Sequence, residues 1–310
     1  MTPTLTILGS GSALPTRDNF PTAQLLDMRE KQFLIDCGEG TQIRLRQMGL
    51  KINRLGHIFI SHLHGDHCFG LIGLISSLGM LNRTAELYVH GPVGIRELFE
   101  PQLKFFCEES PFQVRFVEFD ARHSEVIFED RALTVTTLPL KHRVPCAGFL
   151  FREKPGSRHL LREWIDYYKI PVAQLHNIRN GADFVTSEGE LIPNEKLTSP
   201  PNPVVSYAYC SDTAYHEALI PLISKVDLLY HEATFAESEL KRARQTLHST
   251  ARQAAEIALK ADVGRLLIGH FSARYHNKEV LLREAREVFE ATELAADMQT
   301  FAIESVVKSS

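Results

Sequence analysis

The stretch Ser61-His62-Leu63-His64-Gly65-Asp66-His67 constrains this chain more than any other, because three imidazoles and a carboxylate within six residues must converge on something. Before it, His57-Ile58-Phe59-Ile60 reads as a short buried strand. After it, Cys68 to Leu81 is an apolar run with helical spacing. The cluster therefore falls on a strand-to-helix loop at the carboxyl edge of a sheet, where open α/β folds place their sites. Histidines two apart point the same way on an extended backbone, and Gly65 lets the chain turn so that Asp66 and His67 face a second point nearby. Imidazole nitrogen and carboxylate oxygen are ligands for zinc or a similar metal, and there are too many for one tetrahedral ion that must also keep an open position. The pattern predicts a two-metal site; the competing reading is a solvated polar loop.

At 310 residues with 44% hydrophobic content, the chain has room for one large α/β domain or two small ones. A net charge of −4 gives no global attraction to nucleic acid, so such binding would rest on local basic patches or on metal. The five cysteines are scattered and form no CxxC pair, which predicts reduced thiols and a cytoplasmic setting. No basic-then-apolar leader and no run of 18 apolar residues is present, which predicts neither secretion nor a membrane span.

Leu5 to Leu8, Ala23 to Met28 and Gln32 to Asp36 read as a β-meander, and Gly9-Ser10-Gly11 as a tight turn, since the phosphate-loop spacing fails at Leu14. Asp36 ends a strand beside the histidine loop, where it either orients a metal-bound histidine or serves a turn or cap. A helix is expected over Thr41 to Met48, a strand over Glu86 to His90, a helix over Val93 to Phe106 and several strands between Phe112 and Leu138, with His90 and His123 structural. His142, Asp212 and His270 each lie just past a predicted strand, as the histidine loop does. Val226 to Tyr230 is a strand, followed by His231-Glu232. His248 precedes the helix Ala251 to Ala261, capped by Ser249 or Thr250. Lys278 to Glu290 reads as a helix and Met298 to Val306 as the last strand. Residues 152–203 differ in composition and read as an arm inserted into a single domain over 1–310. In it Ser157 to Tyr168 is expected to be a helix whose Arg158 and Arg162 either grip a phosphate backbone or are simply solvated.

Together, Gly9-Ser10-Gly11-Ser12-Ala13-Leu14-Pro15-Thr16, Asp36-Cys37-Gly38-Glu39-Gly40-Thr41-Gln42, the histidine loop, His142-Arg143-Val144-Pro145, Ser211-Asp212-Thr213, His231-Glu232-Ala233-Thr234, His248-Ser249-Thr250 and Gly269-His270-Phe271-Ser272-Ala273-Arg274-Tyr275 resemble the metallo-β-lactamase superfamily. Within it they resemble the short-form ribonuclease Z family of tRNA 3′-processing endonucleases. The resemblance implies an αβ/βα four-layer sandwich with an inserted tRNA-binding arm, a homodimer, and two zinc ions per subunit. It assigns His62, His64 and His142 to one zinc, Asp66, His67 and His270 to the other, and Asp212 to both. It further implies that Asp66 accepts a proton from the attacking water, that His248 protonates the departing RNA 3′-oxygen, and that Glu232 orients His248. Arg252, taken as one helical turn on, would join that relay or touch phosphate, the competing reading for Glu232 and Arg252 being a structural ion pair, and Ser272 and Arg274 would meet substrate. The segment Lys169-Ile170-Pro171-Val172-Ala173-Gln174-Leu175 departs from the family by lacking the glycines of the usual arm tip. A small-ester hydrolase of the same superfamily and a noncatalytic metal-bound RNA-binding module are the alternative readings.

Overall fold

The computed structural model describes residues 2–306 apart from 18 and 53. The chain divides into two compact units: one runs through Arg152 and resumes at Val205, and the other is Glu153–Val204.

The first unit begins as an antiparallel meander of Thr4–Gly9, Ala23–Met28 and Lys31–Ile35. Its second turn carries positive φ at both Arg29 and Glu30, the backbone twist that suits a two-residue hairpin. From Lys31–Ile35 onward the pairing is parallel, through Leu55–Phe59, Leu87–Pro92 and Val114–Phe119. Parallel neighbours need long crossovers, and the helices Thr41–Gln47, Leu71–Met80 and Ile95–Phe106 supply them. Thr300–Ala302 closes the other edge of this seven-stranded sheet.

A second seven-stranded sheet runs Thr292–Leu294, Arg265–Gly269, Leu228–Glu232, Ser206–Cys210, Ala147–Glu153, Leu133–Pro139, Val126–Glu129. Its first four strands are parallel. Phe33 and Phe59 of the first sheet pack with Phe149, Phe151, Tyr207, Tyr209 and Tyr230 of the second in one buried cluster, so the sheets meet face to face. On the outer face of the first sheet, Leu45, Leu74, Ile75 and Phe99 bury its crossover helices. On the outer face of the second, Ala254, Ala258 and Leu281 do the same for Ala251–Lys260 and Glu279–Arg286. The result is the four-layer αβ/βα sandwich. Carboxyl ends of parallel strands from both sheets then lie together, and the histidine loop follows one of them.

Several elements differ from the sequence reading. The apolar run after the histidines is not one helix but Gly65–Cys68 followed by Leu71–Met80. The break is a close approach: a Cβ on Gly70 would lie 2.1 Å from the Gly38 carbonyl oxygen. His231 and Glu232 are part of their strand rather than beyond it. The carboxyl-terminal strand is only Thr300–Ala302, and Thr292–Leu294 precedes it. Thr250 is the cap of Ala251–Lys260, with a reciprocal bond from Gln253. Among the described residues no helix is long and apolar enough to cross a membrane.

The second unit holds the helices Arg162–Tyr167, Val172–Arg179 and Asn194–Leu197, a small hairpin of Phe184–Val185 with Leu191–Ile192, and a pairing of His159–Leu160 with Thr198–Ser199. Its own core is Ile170, Ile178, Phe184, Ile192 and Leu197. Buried Asn194 ties it together by donating to the Ile178 and Ala182 carbonyls, each at 2.7 Å. The expected helix over Ser157 to Tyr168 is shorter. Arg158 precedes the strand His159–Leu160 and its Nε donates to Thr198 Oγ1 at 2.6 Å. Arg162 opens the helix and faces Asp166 at 3.6 Å, with its side chain 91% exposed.

Candidate metal centre

The centre is built on Asp36, which sits at the end of Lys31–Ile35 with a left-handed φ of 54°. Its fully buried carboxylate accepts the Ser61 backbone N–H at 2.7 Å, Ser61 Oγ at 2.9 Å, Tyr209 OH at 2.6 Å and His67 Nδ1 at 2.7 Å. Asp36 therefore orients a histidine, one of the two roles the sequence left open. It also fixes the proton on His67 Nδ1 and turns the Nε2 lone pair inward.

The same logic recurs around the centre. Ser61 Oγ, having given its proton to Asp36, accepts from His62 Nδ1 at 3.0 Å. The Leu247 carbonyl accepts from His142 Nδ1 at 3.0 Å. Thr234 Oγ1 donates to Glu232 at 2.7 Å and accepts from His270 Nδ1 at 3.0 Å. Four imidazoles thus present Nε2 lone pairs to one volume. His270, like Asp36, reaches its place through a left-handed backbone, φ 58°.

These nitrogens and the carboxylate oxygens fall into two groups that share Asp212. In the first, His62 Nε2 lies 3.0 Å from His64 Nδ1, His142 Nε2 lies 3.3 Å from His64 Nδ1, and both Nε2 atoms are 3.6 Å from Asp212 Oδ2. In the second, His67 and His270 Nε2 each lie 3.5 Å from Asp66 Oδ2 and at 3.4 and 3.1 Å from Asp212 Oδ1. Buried His67 Nε2, His270 Nε2 and Asp212 Oδ1 have no hydrogen-bond partner among the described residues. Lone pairs brought this close repel one another unless a cation lies among them, so the donor set fits metal ions. The protein binds metal here.

Burial pushes His62, His64 and His142 below the ordinary imidazole range, which leaves them neutral and ready to ligate. Burial opposes charge on His67 as well, but Asp212, Asp66 and Asp36 outweigh it and favour positive charge at its Nε2, a proton or, in its place, a metal cation. Asp66 also accepts the Ala13 backbone N–H at 2.7 Å.

Beside the two groups, His248 Nδ1 donates to Glu232 Oε1 at 2.8 Å and its Nε2 stands 4.0 Å from Asp212 Oδ2. Glu232 is fully buried and also accepts the Thr213 and Thr234 backbone N–H groups at 3.0 and 3.1 Å. Burial disfavours a charged His248, yet Glu232 raises it to about 9. Arg252 is not part of this arrangement. Its guanidinium pairs with Glu287 at 2.6 Å, because the helix starts only at Ala251 and the four-residue spacing from His248 crosses a non-helical cap.

A cleft of about 480 Å³ opens onto these groups, lined by Arg143, Arg242, Arg274, Ser272 and Phe69 among others. Arg274 bonds Glu239 at 2.9 Å and Ser272 Oγ at 3.2 Å. Three guanidinium groups thus surround the mouth of a site in an acidic protein. Nothing in the sequence marks Tyr209 or Arg242 as functional, and Thr234 is marked only as part of the motif His231-Glu232-Ala233-Thr234 with no role of its own. Tyr209 looks like an ordinary core aromatic of its strand, and Arg242 stands in a helix, Leu240–Thr246, with no motif.

Residues 3–160, half of the chain, match the family model described as Anti-Pycsar protein Apyc1. That match spans the histidine loop and His142 but stops before Asp212, His248 and His270. Over nearly full length the chain is 57% identical to a ribonuclease Z of Bacteroides fragilis, across 94% of this chain and 96% of the relative. It is 56% identical to one of Bacteroides thetaiotaomicron, across 94% and 93%. The short form of human tRNase Z superposes with a TM-score of 0.70 at 26% identity, covering 97% of this chain and 99% of that one. The metallo-β-lactamase fold protein YhfI of Bacillus subtilis, at 18% identity and a TM-score of 0.68, shares the fold over 97% of this chain and 99% of its own. With Asp212 facing both ligand groups, a carboxylate-held imidazole at their edge and this likeness from end to end, the chain belongs to the ribonuclease Z family of metallo-β-lactamase-fold enzymes, its first half also falling within the family described as Anti-Pycsar protein Apyc1.

Proposed function

We propose that this chain is a zinc-dependent endoribonuclease that removes the 3′ trailer of precursor tRNA, leaving a 3′-hydroxyl on the tRNA and a 5′-phosphate on the trailer. The observation that carries this reading is Asp212, which turns one oxygen toward His62 and His142 and the other toward His67 and His270. Two zinc ions, one at His62, His64 and His142 and one at Asp66, His67 and His270 with Asp212 between, would supply Lewis-acid stabilisation of phosphate charge and an acidified water.

The chain's own groups do the rest. Asp66, held by the Ala13 N–H, takes the proton of the attacking water. His248 gives its proton to the departing 3′-oxygen, and Glu232 keeps it aimed and charged for that transfer. Arg143, Arg242 and Arg274, with Ser272, draw the phosphate backbone to the cleft and set it there. Arg158 and Arg162, on the inserted unit, contact the tRNA as well. A homodimer in the cytoplasm belongs to the same reading; five free thiols, four of them buried, suit a reducing compartment.

Incubation with a precursor tRNA carrying a 3′ trailer tests this. The zinc-loaded chain should cut at the trailer junction. Asp66→Ala or a chelator should lower the rate by about 10²-fold or more, as loss of a proton-transfer group does. Undiminished cleavage by either would overturn the proposal.

A further inference from the structure

Asp66 is held from outside its ligand group at one point. The Ala13 backbone N–H reaches Oδ2 at 2.7 Å, the same oxygen that faces His67 and His270 Nε2 at 3.5 Å each. Among the described residues no other group outside the imidazoles bonds this carboxylate. The aim of Asp66 therefore depends on where Ala13 is held. Ala13 lies in the loop between the strand Thr4–Gly9 and Phe20, with a left-handed φ of 51°. A residue with a side chain keeps that backbone only where its surroundings impose it.

The loop is fixed at its ends. Gly11 N donates to the Phe20 carbonyl at 2.9 Å, which draws the ends together. Ser12 N donates to the Phe271 carbonyl at 3.0 Å and Phe271 N to the Ser10 carbonyl at 2.9 Å, which ties the loop to the residue after His270. The remaining donors at the two ends converge on one carboxylate. Asp297 Oδ1 accepts Ser10 N at 2.9 Å and Ser10 Oγ at 2.6 Å, and Oδ2 accepts Phe20 N at 2.8 Å. Asp297 stands in the crossover from Thr292–Leu294 of the second sheet to Thr300–Ala302 of the first. Arg44, in the helix Thr41–Gln47, balances its charge at 3.3 Å and lays its guanidinium over the Phe20 ring, 3.9 Å from the centroid. Ser10 is fully buried, so without Asp297 its N–H would be left without a partner away from water.

We propose that Asp297 is a positioning residue for Asp66, acting through the loop from Ser10 to Phe20. Its carboxylate pins both loop ends, and the loop delivers one N–H to one ligand oxygen. The proposal rests on the metal centre described above and on the place of Asp66 in it. A carboxylate that only stabilised the fold would weaken both ligand groups alike and would act whether or not Asp66 were present.

Zinc affinity, measured by competition with a chelator, tests this on the wild type, Asp297→Ala, Asp66→Ala and the double variant. Asp297→Ala should weaken one of the two zinc-binding steps by about tenfold, the lower end of the range for a group that orients a ligand, and leave the other as it was. In the Asp66→Ala background the same substitution should add no further loss. Both steps weakened alike, losses that multiply, or an affinity equal to the wild type would overturn the assignment. Asp297→Asn keeps the shape and an acceptor for Ser10 but turns an amide toward the Phe20 N–H. It should fall between the wild type and Asp297→Ala, and it is judged by the same cycle with Asp66 if the alanine variant does not fold. On precursor tRNA at saturating zinc, Asp297→Ala should lower kcat and leave KM unchanged, whereas a raised KM alone would overturn the assignment. A wild type that binds two zinc ions and cuts no precursor defeats the tRNA reading instead, and the affinity cycle still judges Asp297.

Discussion

The first sheet carries two sets of buried or half-buried histidines, and they behave in opposite ways. His62, His64 and His67 stand past the end of Leu55–Phe59 among Asp36, Asp66 and Asp212, with Nε2 or Nδ1 lone pairs turned inward. His57 and His90 stand within neighbouring strands, bonded to each other at 3.0 Å. His90 stacks on Phe59 at 4.4 Å and His57 on Tyr88 at 5.1 Å. Burial drives this second pair to neutrality, His57 to about 4 and His90 to about 3. In the first set carboxylates reverse that effect on His67. Aggregated imidazoles are thus packing material until carboxylates fix their tautomers and supply charge for a cation.

Removing carboxylates from the first set should therefore have the largest effects. Asp212→Ala takes away the oxygens that face both ligand groups. Bound metal should fall at both positions, and precursor cleavage by about 10³-fold or more, beyond the loss of a single charge-stabilising donor. An unchanged metal-to-protein ratio would remove Asp212 from its shared role. Asp36→Asn is milder, because asparagine tolerates the left-handed backbone at φ 54° and keeps a carbonyl acceptor. Metal affinity should drop by about 10–100-fold, the range for a partner that orients a ligand. Metal titration followed by cleavage assays at saturating metal separates the two effects. An Asp36→Asn protein with wild-type affinity would mean that Ser61 and the fold alone orient His67.

The histidine loop was legible because its ligands are contiguous and the strand before it is short and apolar. Apart from the family resemblance, His142, Asp212 and His270 were legible only as residues past strand ends. Their meeting depends on the face-to-face packing of two sheets, which no local spacing encodes. The role of Thr234 and the whole of Tyr209 escaped for the same reason: each acts across the sandwich or between strands, on a partner 36 or 173 residues away. Arg252 shows the opposite failure, a helical spacing applied where the chain is not yet helical. The break at Gly70 depends on a neighbouring backbone, that of Gly38, and so is invisible in an apolar run.

The smallest expected effect comes from the second set. Both folded-state values, about 4 and about 3, lie below the unfolded value near 6.5. As pH falls below about 6.5 the unfolded chain takes up protons that the folded chain refuses, so this pair contributes stability at neutral pH that fades between about 6.5 and 3. His90→Phe keeps the ring stacked on Phe59 and removes one refusing group. Lys31 and Asp130, the charged groups acting on His57, stay in place. Urea unfolding between pH 4 and 7 should show the slope of stability against pH reduced by up to one proton, an effect of about 1–3 kcal/mol at the acid end after allowance for solvent screening. The acid midpoint should move to lower pH. A steeper slope, or a midpoint moved upward, would mean that His90 is charged in the folded protein and that the two histidine sets differ less than their surroundings imply.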